Sequence, residues 1–494
     1  MRTPRLLVPF VLLAAASSIV PAYAATSSGP WPQFQGDAGR SGLAPEAPAP
    51  PYRVAWSAPA GIGDTTHISG IPAPVLTGSL AIVVGRQDVS AVDLASGDAA
   101  WTVPRALGPS APAAVAGDLL LFVEGGGDES ASASGTPSAA ASSSSSPTAT
   151  SATPSASAVP SSVAATSSLV AIDLATQERA WAVPLSEVSH TGVLFVGQNA
   201  IVGTDDGEIT AVDVASGKQA WNVDVGDHVL AAMAATEDLV LASVRPEAQG
   251  TASLVALHAN DGSQAWRYQP TGAVLDLGSP SVAGDLVYLV ASDGSLRAVA
   301  IGDGTQRWAA RLYTPTAGSP PAVNDAGVFV TDQSGTMYAF DPSSGAEQWR
   351  FASNLFAVGG PIVTSDTVLQ PASDGTILAV DTTTGHQVWH ATVADAAVIG
   401  LAATAELVVA TSTGTTPGFV ALETDPAGVS EDITSPTSAD PSGLLLAWFA
   451  AALPIVAALV LLGRALSTRM GTPDLSTAED DVVDPWETDV GDES

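Results

Sequence analysis

AVDVASGKQAW, residues 211–221, sets an alanine ten positions before a tryptophan. The chain repeats that spacing six more times. Ala91 precedes Trp101, Ala171 precedes Trp181, Ala256 precedes Trp266, Ala298 precedes Trp308, Ala339 precedes Trp349 and Ala379 precedes Trp389. A spacing held this strictly belongs to a repeated structural module.

The tryptophans at 56, 101, 181, 221, 266, 308, 349 and 389 are separated by 45, 80, 40, 45, 42, 41 and 40 residues. Six of these intervals have the length of one four-stranded propeller blade. The long one contains residues 128–168, a tract of Ser, Ala, Thr and Pro that cannot form a core and reads as a disordered insertion in one blade. Each unit reads alike. An extended apolar run such as DLVYLV (285–290) is followed by a turn with glycine, a run ending in Ala-x-Asp, a polar turn and the tryptophan strand. Short β-rich runs with turn signals between them predict an all-β repeat, and helical periodicity is missing.

The spacing has a physical reason. A large indole across a tight turn needs a small residue facing it, or neighbouring sheets could not approach. Glycine six residues after the alanine (97, 217, 262, 304, 345 and 385) supplies backbone freedom at the turn. The indole buries apolar area while its N–H seeks a backbone acceptor. Asp93, Asp173, Asp213, Asp341 and Asp381 are placed to accept backbone N–H groups in the turn. His258, Ala300 and Glu423 stand there in the other units.

The ends are complementary. Trp56, in YRVAW, has no alanine partner upstream, whereas Ala421, in GFVALETD, has no tryptophan ten residues on. A ring solves both, with the N-terminal strand completing the last blade and removing open edges. Seven full units and one shared unit predict eight blades.

Composition removes several functions. Formal net charge is −34, and Lys218 is the single lysine beside fifteen arginines. Nucleic acid binding, which needs Lys/Arg clusters, is set aside. The chain has no cysteine, so disulfides, thiolate metal sites and cysteine nucleophiles are absent. His386 and His390 lie four apart, but on a strand that separates them by about 13 Å, too far to share a metal. The DDG at 205–207 lacks the rest of a calcium loop and reads as turn chemistry.

Two segments concern address. MRTPR, an apolar run from Leu6 to Val20 and an Ala-x-Ala ending at Ala24 predict a signal peptide over residues 1–24. Residues 443–462 are twenty uncharged positions, long enough to span a bilayer as a helix. Arg464 and Arg469 follow, which puts the C-terminus in the cytoplasm. The expected order is a propeller over 31–424, a juxtamembrane linker (425–442), the span, and an acidic cytoplasmic tail (463–494). The expectation is a single-pass type I protein of the cell membrane with its propeller extracytoplasmic.

The pattern Ala-x-Asp-x-x-x-Gly-x-x-x-Trp resembles the tryptophan-docking repeat of the pyrroloquinoline-quinone (PQQ)-type propellers. WPQFQGDAGRSG (31–42) resembles the opening segment of that superfamily. The resemblance covers about residues 31–424. It implies an all-β, eight-bladed β-propeller of four-stranded antiparallel blades with tryptophan-docking motifs, here with one C-terminal transmembrane helix added. Within the superfamily, quinoprotein dehydrogenases hold PQQ and Ca²⁺ on the axis, with adjacent cysteines, carboxylate and amide ligands and an aspartate base. BamB-type scaffolds keep the ring and bind proteins through its faces. With no cysteine and a shorter ring, this chain is expected to be a non-catalytic protein-binding or scaffold module. No catalytic residue, cofactor or metal ligand is assigned. A PQQ- and Ca²⁺-dependent redox enzyme is the alternative, as is a ligand sensor signalling through a partner. The partner expected is an extracytoplasmic or membrane protein.

The loops after the tryptophan strands should cluster on one face around the channel. The candidate ligand or partner residues there are Asp64, His67, Arg105, His190, Asp227, His228, Arg311 and Asn354, with Glu187, Asp276 and Asp395 also present.

Overall fold

The apolar runs become the two middle strands of each blade, and the tryptophan runs become the outer ones. Leu119–Glu124 is buried almost throughout, whereas the outer strand Ala99–Pro104 alternates exposed and half-buried positions. That alternation is the mark of a strand with one face in water. A computed structural model describes residues 31–60, 73–125, 167–246, 250–312, 314, 320–414 and 417–428. The signal peptide, most of the 128–168 insertion, the linker beyond residue 428, the span 443–462 and the tail lie outside the described residues. The chain divides into two compact units, Met1–Asp432 and Ile433–Ser494, and all described residues fall in the first. Among them no helix is long and apolar enough to cross a membrane.

Eight antiparallel sheets follow one another, making an eight-bladed propeller. Blade 1 spans Val75 to Pro104, blade 2 Ala114 to Pro184, blade 3 Leu194 to Asp224 and blade 4 His228 to Tyr268. Blade 5 spans Ser281 to Arg311, blade 6 Ala322 to Ala352 and blade 7 Ile362 to Thr392. Blade 8 takes three strands from Val398 to Thr424 and its outer strand from Tyr52–Pro59. The inner position of blade 4 is split between His228–Val229 and Ala234–Ala235. In blade 2 the third strand begins at Ser168, so the expected insertion overlaps that strand by one residue.

In every blade the alanine and tryptophan are direct cross-strand partners, followed by a one-residue register shift. The shift is a bulge, which sharpens local twist. The reason expected for the small alanine needs correction. Alanine lies beside tryptophan within one blade, and the residue across the seam is the glycine of the next blade. A Cβ on Gly97, Gly217, Gly262, Gly304, Gly345 or Gly385 would sit 2.5–2.7 Å from the indole of Trp56, Trp181, Trp221, Trp266, Trp308 or Trp349. All six glycines have φ between 64° and 77°. They are thus required twice, by backbone conformation and by close approach.

Each of these indoles donates its N–H to a carbonyl of the next blade, at 2.7–3.1 Å. Asp93, Asp173, Asp341 and Asp381 each accept two turn N–H groups, and Asp213 accepts one. Where the acid is missing, Asp261 and Asp303 do related work, accepting from Ser263 N and Thr305 N.

Two seams differ. Between blades 1 and 2, Gln177 holds the glycine's place at φ 59°, and its amide donates to Leu174 O (2.9 Å). Between blades 7 and 8, Trp389 meets Tyr52 edge-on with ring centroids 5.0 Å apart. The core is a ring of seam clusters, each shared by neighbouring blades.

Candidate functional site: the two faces of the ring

In an antiparallel four-stranded blade, the first and third turns point one way and the middle turn and the link to the next blade point the other. The tight Ala-to-Trp turns therefore share one face of the ring, the turn face. The links after each tryptophan strand share the other, the loop face.

The centre is filled by WPQFQGDAGRSGLA, residues 31–44. The segment runs round the innermost strands like a thread. Its carbonyls at Trp31, Pro32, Ala38, Gly39, Ser41 and Gly42 accept from Leu76 N, Val115 N, Ala235 N, Val282 N, Val323 N and Val363 N, at 2.6–2.9 Å. These donors belong to blades 1, 2, 4, 5, 6 and 7. Blade 3 is reached by side chains: Gln33 exchanges two bonds with Phe195, and Arg40 Nη2 donates to Val193 O (3.2 Å). Arg40 is fully buried and has no carboxylate bonded to it; it also donates to Met233 O (2.9 Å) and Phe34 O (2.7 Å). Burial pushes its pKa down to about 10, against the nearby charge of Asp37. Composition and spacing gave no hint of this hub. Its sequence signals are the resemblance of residues 31–42 to an opening segment and an arginine between small residues where strand patterning is lacking.

On the loop face the sequence-predicted residues separate into local groups. His190, Asp227 and His228 meet at the junction of blades 3 and 4. His190 Nδ1 lies 2.9 Å from Asp205 Oδ1, and His228 Nδ1 bonds the Asp205 carbonyl. The hydrogen bond to Asp205 raises the pKa of His190, with burial opposing and the carboxylate charge adding. Asp206 beside it accepts from Thr204 Oγ1 (2.5 Å) and Ser186 Oγ (3.1 Å). Asp227 is 3.6 Å from Arg267, whose guanidinium also donates to Val225 O. The DDG turn is thus the anchor to which both histidines are tied.

The others stand apart. Arg311 donates to Asp293 O (3.0 Å) within blade 5. Asn354 is exposed at φ 59° in the link after blade 6. Asp64 and His67 lie outside the described residues. Arg105 is 8 % exposed and folded over the ring of Phe122, not displayed on a rim. Sequence reading also passed over Leu275 and Phe356, which leave 63 % and 50 % of their area in water on loop-face links. A single apolar residue in a polar loop carries no periodic signal.

The turn face has a cleft of about 990 Å³ between blades 5 and 6, lined by Asp285, Asp325, Asp341, Leu43 and Tyr288 among others. Asp37 of the hub reaches it too.

Comparison with known proteins agrees with this architecture. A serine/threonine-protein kinase AfsK of Streptomyces griseus is 32% identical over 189 residues, 33% of this chain and 23% of that protein. The outer membrane protein assembly factor BamB of Yersinia pestis is 25% identical over 226 residues, 41% of this chain and 56% of that protein. The chain therefore spans about a quarter and about half the length of these two relatives. Among solved structures, BamB from Moraxella catarrhalis matches with a TM-score of 0.54 at 16% identity, over 75% of this chain and 99% of that one. Quinohemoprotein alcohol dehydrogenase from Comamonas testosteroni matches with a TM-score of 0.60 at 13% identity, over 85% and 84%. At such identities the two structures speak for the fold alone. The family described as outer membrane protein assembly factor BamB matches residues 53–223, 165–320 and 292–422, a run that takes in nearly the whole ring. With its repeats, its closing strand and its seam tryptophans all inside that run, this chain belongs to the BamB family of β-propellers.

Proposed function

We propose that the chain is a membrane-anchored extracytoplasmic propeller that binds a protein partner through its loop face, without catalysis. The observation that carries this reading is the pair Leu275 and Phe356. Burying such side chains against a partner would contribute roughly 1.5–3 kcal/mol each, and this supports a contact surface on the face that displays them. Membership of the BamB family supports a protein-binding role. Address rests on the sequence, through the signal peptide and the span 443–462.

Chemistry through PQQ and Ca²⁺ is the alternative reading, and the fold is shared with quinohemoprotein alcohol dehydrogenase. The residues present do not fit that group. The adjacent cysteines that the resemblance implies are missing, because the chain has no cysteine. No step is derived through the cofactor.

The test is capture of partners from membranes by the intact anchored chain and by Leu275→Asp/Phe356→Asp. A partner retained equally by both would sink the loop-face reading. Quinone absorbance on titration with PQQ and Ca²⁺, with dye reduction, would restore the redox one.

A further inference from the structure

On the loop face, at the seam of blades 1 and 2, two arginines come together. The link that leaves Ala99–Pro104 folds back over the hairpin at residues 85–88. Arg105 N donates to Gln87 O (2.7 Å) and Gly108 N to Arg86 O (3.3 Å). This brings the two arginines together, near enough that the charge of Arg86 helps lower the pKa of Arg105, after burial and against the opposing pull of Glu124. Arg105 Nε and Nη2 donate to Ala106 O (3.2 Å) and Pro109 O (3.1 Å). Its Nη1 and Nε of Arg86 are shut from solvent and have no hydrogen-bond partner among the described residues.

Glu124 does not satisfy them. One of its oxygens is held by Arg179 at 2.5 Å and the other accepts from Ala106 N at 3.4 Å. Buried polar groups are nearly always hydrogen-bonded, and a cationic donor left unmet is the costlier case. Two such donors on neighbouring guanidiniums, in a chain of net charge −34, ask for an acceptor that carries negative charge. The neighbouring guanidinium nitrogen is tightly enclosed: a Cβ on Gly108 would lie 2.5 Å from Arg105 Nη2 and 2.8 Å from Gly125 O.

We propose that Arg86 and Arg105 form an oxyanion site, with Arg86 Nε and Arg105 Nη1 donating to the oxygens of one carboxylate-sized anion. The site lies on the loop face but does not depend on Leu275, Phe356 or any protein partner. A free oxyanion and the carboxylate of a Glu side chain offer the same chemistry.

The test uses the full chain in detergent, titrated calorimetrically with sodium sulfate at constant ionic strength and with a capped tri-glutamate peptide. Sulfate is expected to bind saturably. Arg86→Gln should weaken it at least tenfold, and Arg53→Gln, whose side chain pairs with Glu423 on blade 8, should stay within twofold. Arg105→Gln should behave like Arg86→Gln if it folds; Arg86, half-buried, is the variant on which the result rests. A peptide that competes with sulfate identifies a partner's carboxylate as a ligand, and sulfate binding alone identifies a free oxyanion. Absence of saturable binding of both probes, or equal behaviour of Arg86→Gln and Arg53→Gln, overturns the site.

Discussion

Trp56 and Ala421 stand opposite each other as cross-strand partners, although they come from opposite ends of the ring. The pair copies the Ala–Trp pairing of the other seven blades, including the bulge beside it. Trp56 then crosses the next seam, its indole N–H on Leu94 O at 3.1 Å and its ring against Gly97. One residue therefore joins blade 8 internally and ties it to blade 1. Trp56→Ala should lower stability by about 3 kcal/mol, the low end for a large aromatic because the ring is half-buried. The urea midpoint reads the loss. An unchanged midpoint would mean that the ring does not depend on this closure.

The seam glycines allow a test in both directions. Gly262 has φ 73°, and a Cβ there would lie 2.6 Å from Trp221. Gly262→Ala combines left-handed strain with overpacking and should cost about 2–4 kcal/mol. Gln177 occupies the same place in blade 2 at φ 59°, and its amide takes the carbonyl that corresponds to the indole's acceptor in other seams. Gln177→Gly relieves the strain and frees Leu174 O. It should raise stability by up to about 1 kcal/mol, reduced by the greater freedom of glycine in the unfolded chain. Thermal midpoints moving the opposite way in either variant would refute the seam argument.

These seams show how much was legible in the sequence. Ala211 and Trp221 announce themselves because the blade repeats, and a repeat turns a three-dimensional contact into a spacing. Trp56 and Ala421 were readable by the same rule. The hub was not. Arg40 bonds carbonyls 153 and 193 positions away, and carbonyls are the same in every residue, so no side-chain pattern records the pairing. The loop face was half-legible: its membership follows from topology, but grouping depends on where each link bends. Asp205 gathers His190 and His228, whereas Arg105 turns inward over Phe122.

The hub makes its own prediction. Arg40→Met keeps much of the volume but strands the carbonyls of Phe34, Val193 and Met233, which blades 3 and 4 and the thread share. Each orphaned acceptor costs about 1–3 kcal/mol, offset by no longer burying a charge. A net loss of about 3 kcal/mol is expected. Hydrogen exchange should locate it: Ala235 N and Val282 N, bonded to Ala38 and Gly39, should lose protection before the amides of the outer strands. Uniform loss across the blade would show that Arg40 does not act through the thread.

The turn aspartates set the acid limit. Hydroxyls of Ser343 and Ser344 and the backbone N–H of Ser344 hold Asp341 down at about 2, and N–H bonds from Ser96 and Thr176 lower Asp93 and Asp173. A carboxyl with a depressed folded pKa contributes stability that is complete above its unfolded value, near 3.8, and lost as pH falls through the folded one. On the acid side the thermal midpoint should therefore level off between about pH 5 and pH 6 and fall steeply towards pH 2. Asp341→Asn should lower the plateau and make the fall shallower. A midpoint with the same slope in both proteins would remove these turns from the acid response.

His190 works with the opposite sign. Its bond to Asp205 raises its pKa above the ordinary 6.5, so its contribution is complete below that value and fades as pH rises through the folded pKa. The group sits where the link before blade 3 meets the DDG turn, beside Asp206 and with His228 on the same residue's carbonyl. Loosening there frees the two links that build this part of the loop face. Imidazole ¹⁵N shifts should titrate above 6.5 for His190 in the native chain, and Asp205→Asn should bring that titration below 6.5, because burial then acts without the carboxylate. In the same variant the stability lost by the native chain as pH rises above 6.5 should disappear. If His190 titrates alike in both proteins, the carboxylate is not its partner in solution and the links are held by their other bonds to the turn, such as Asp205 N to Val188 O.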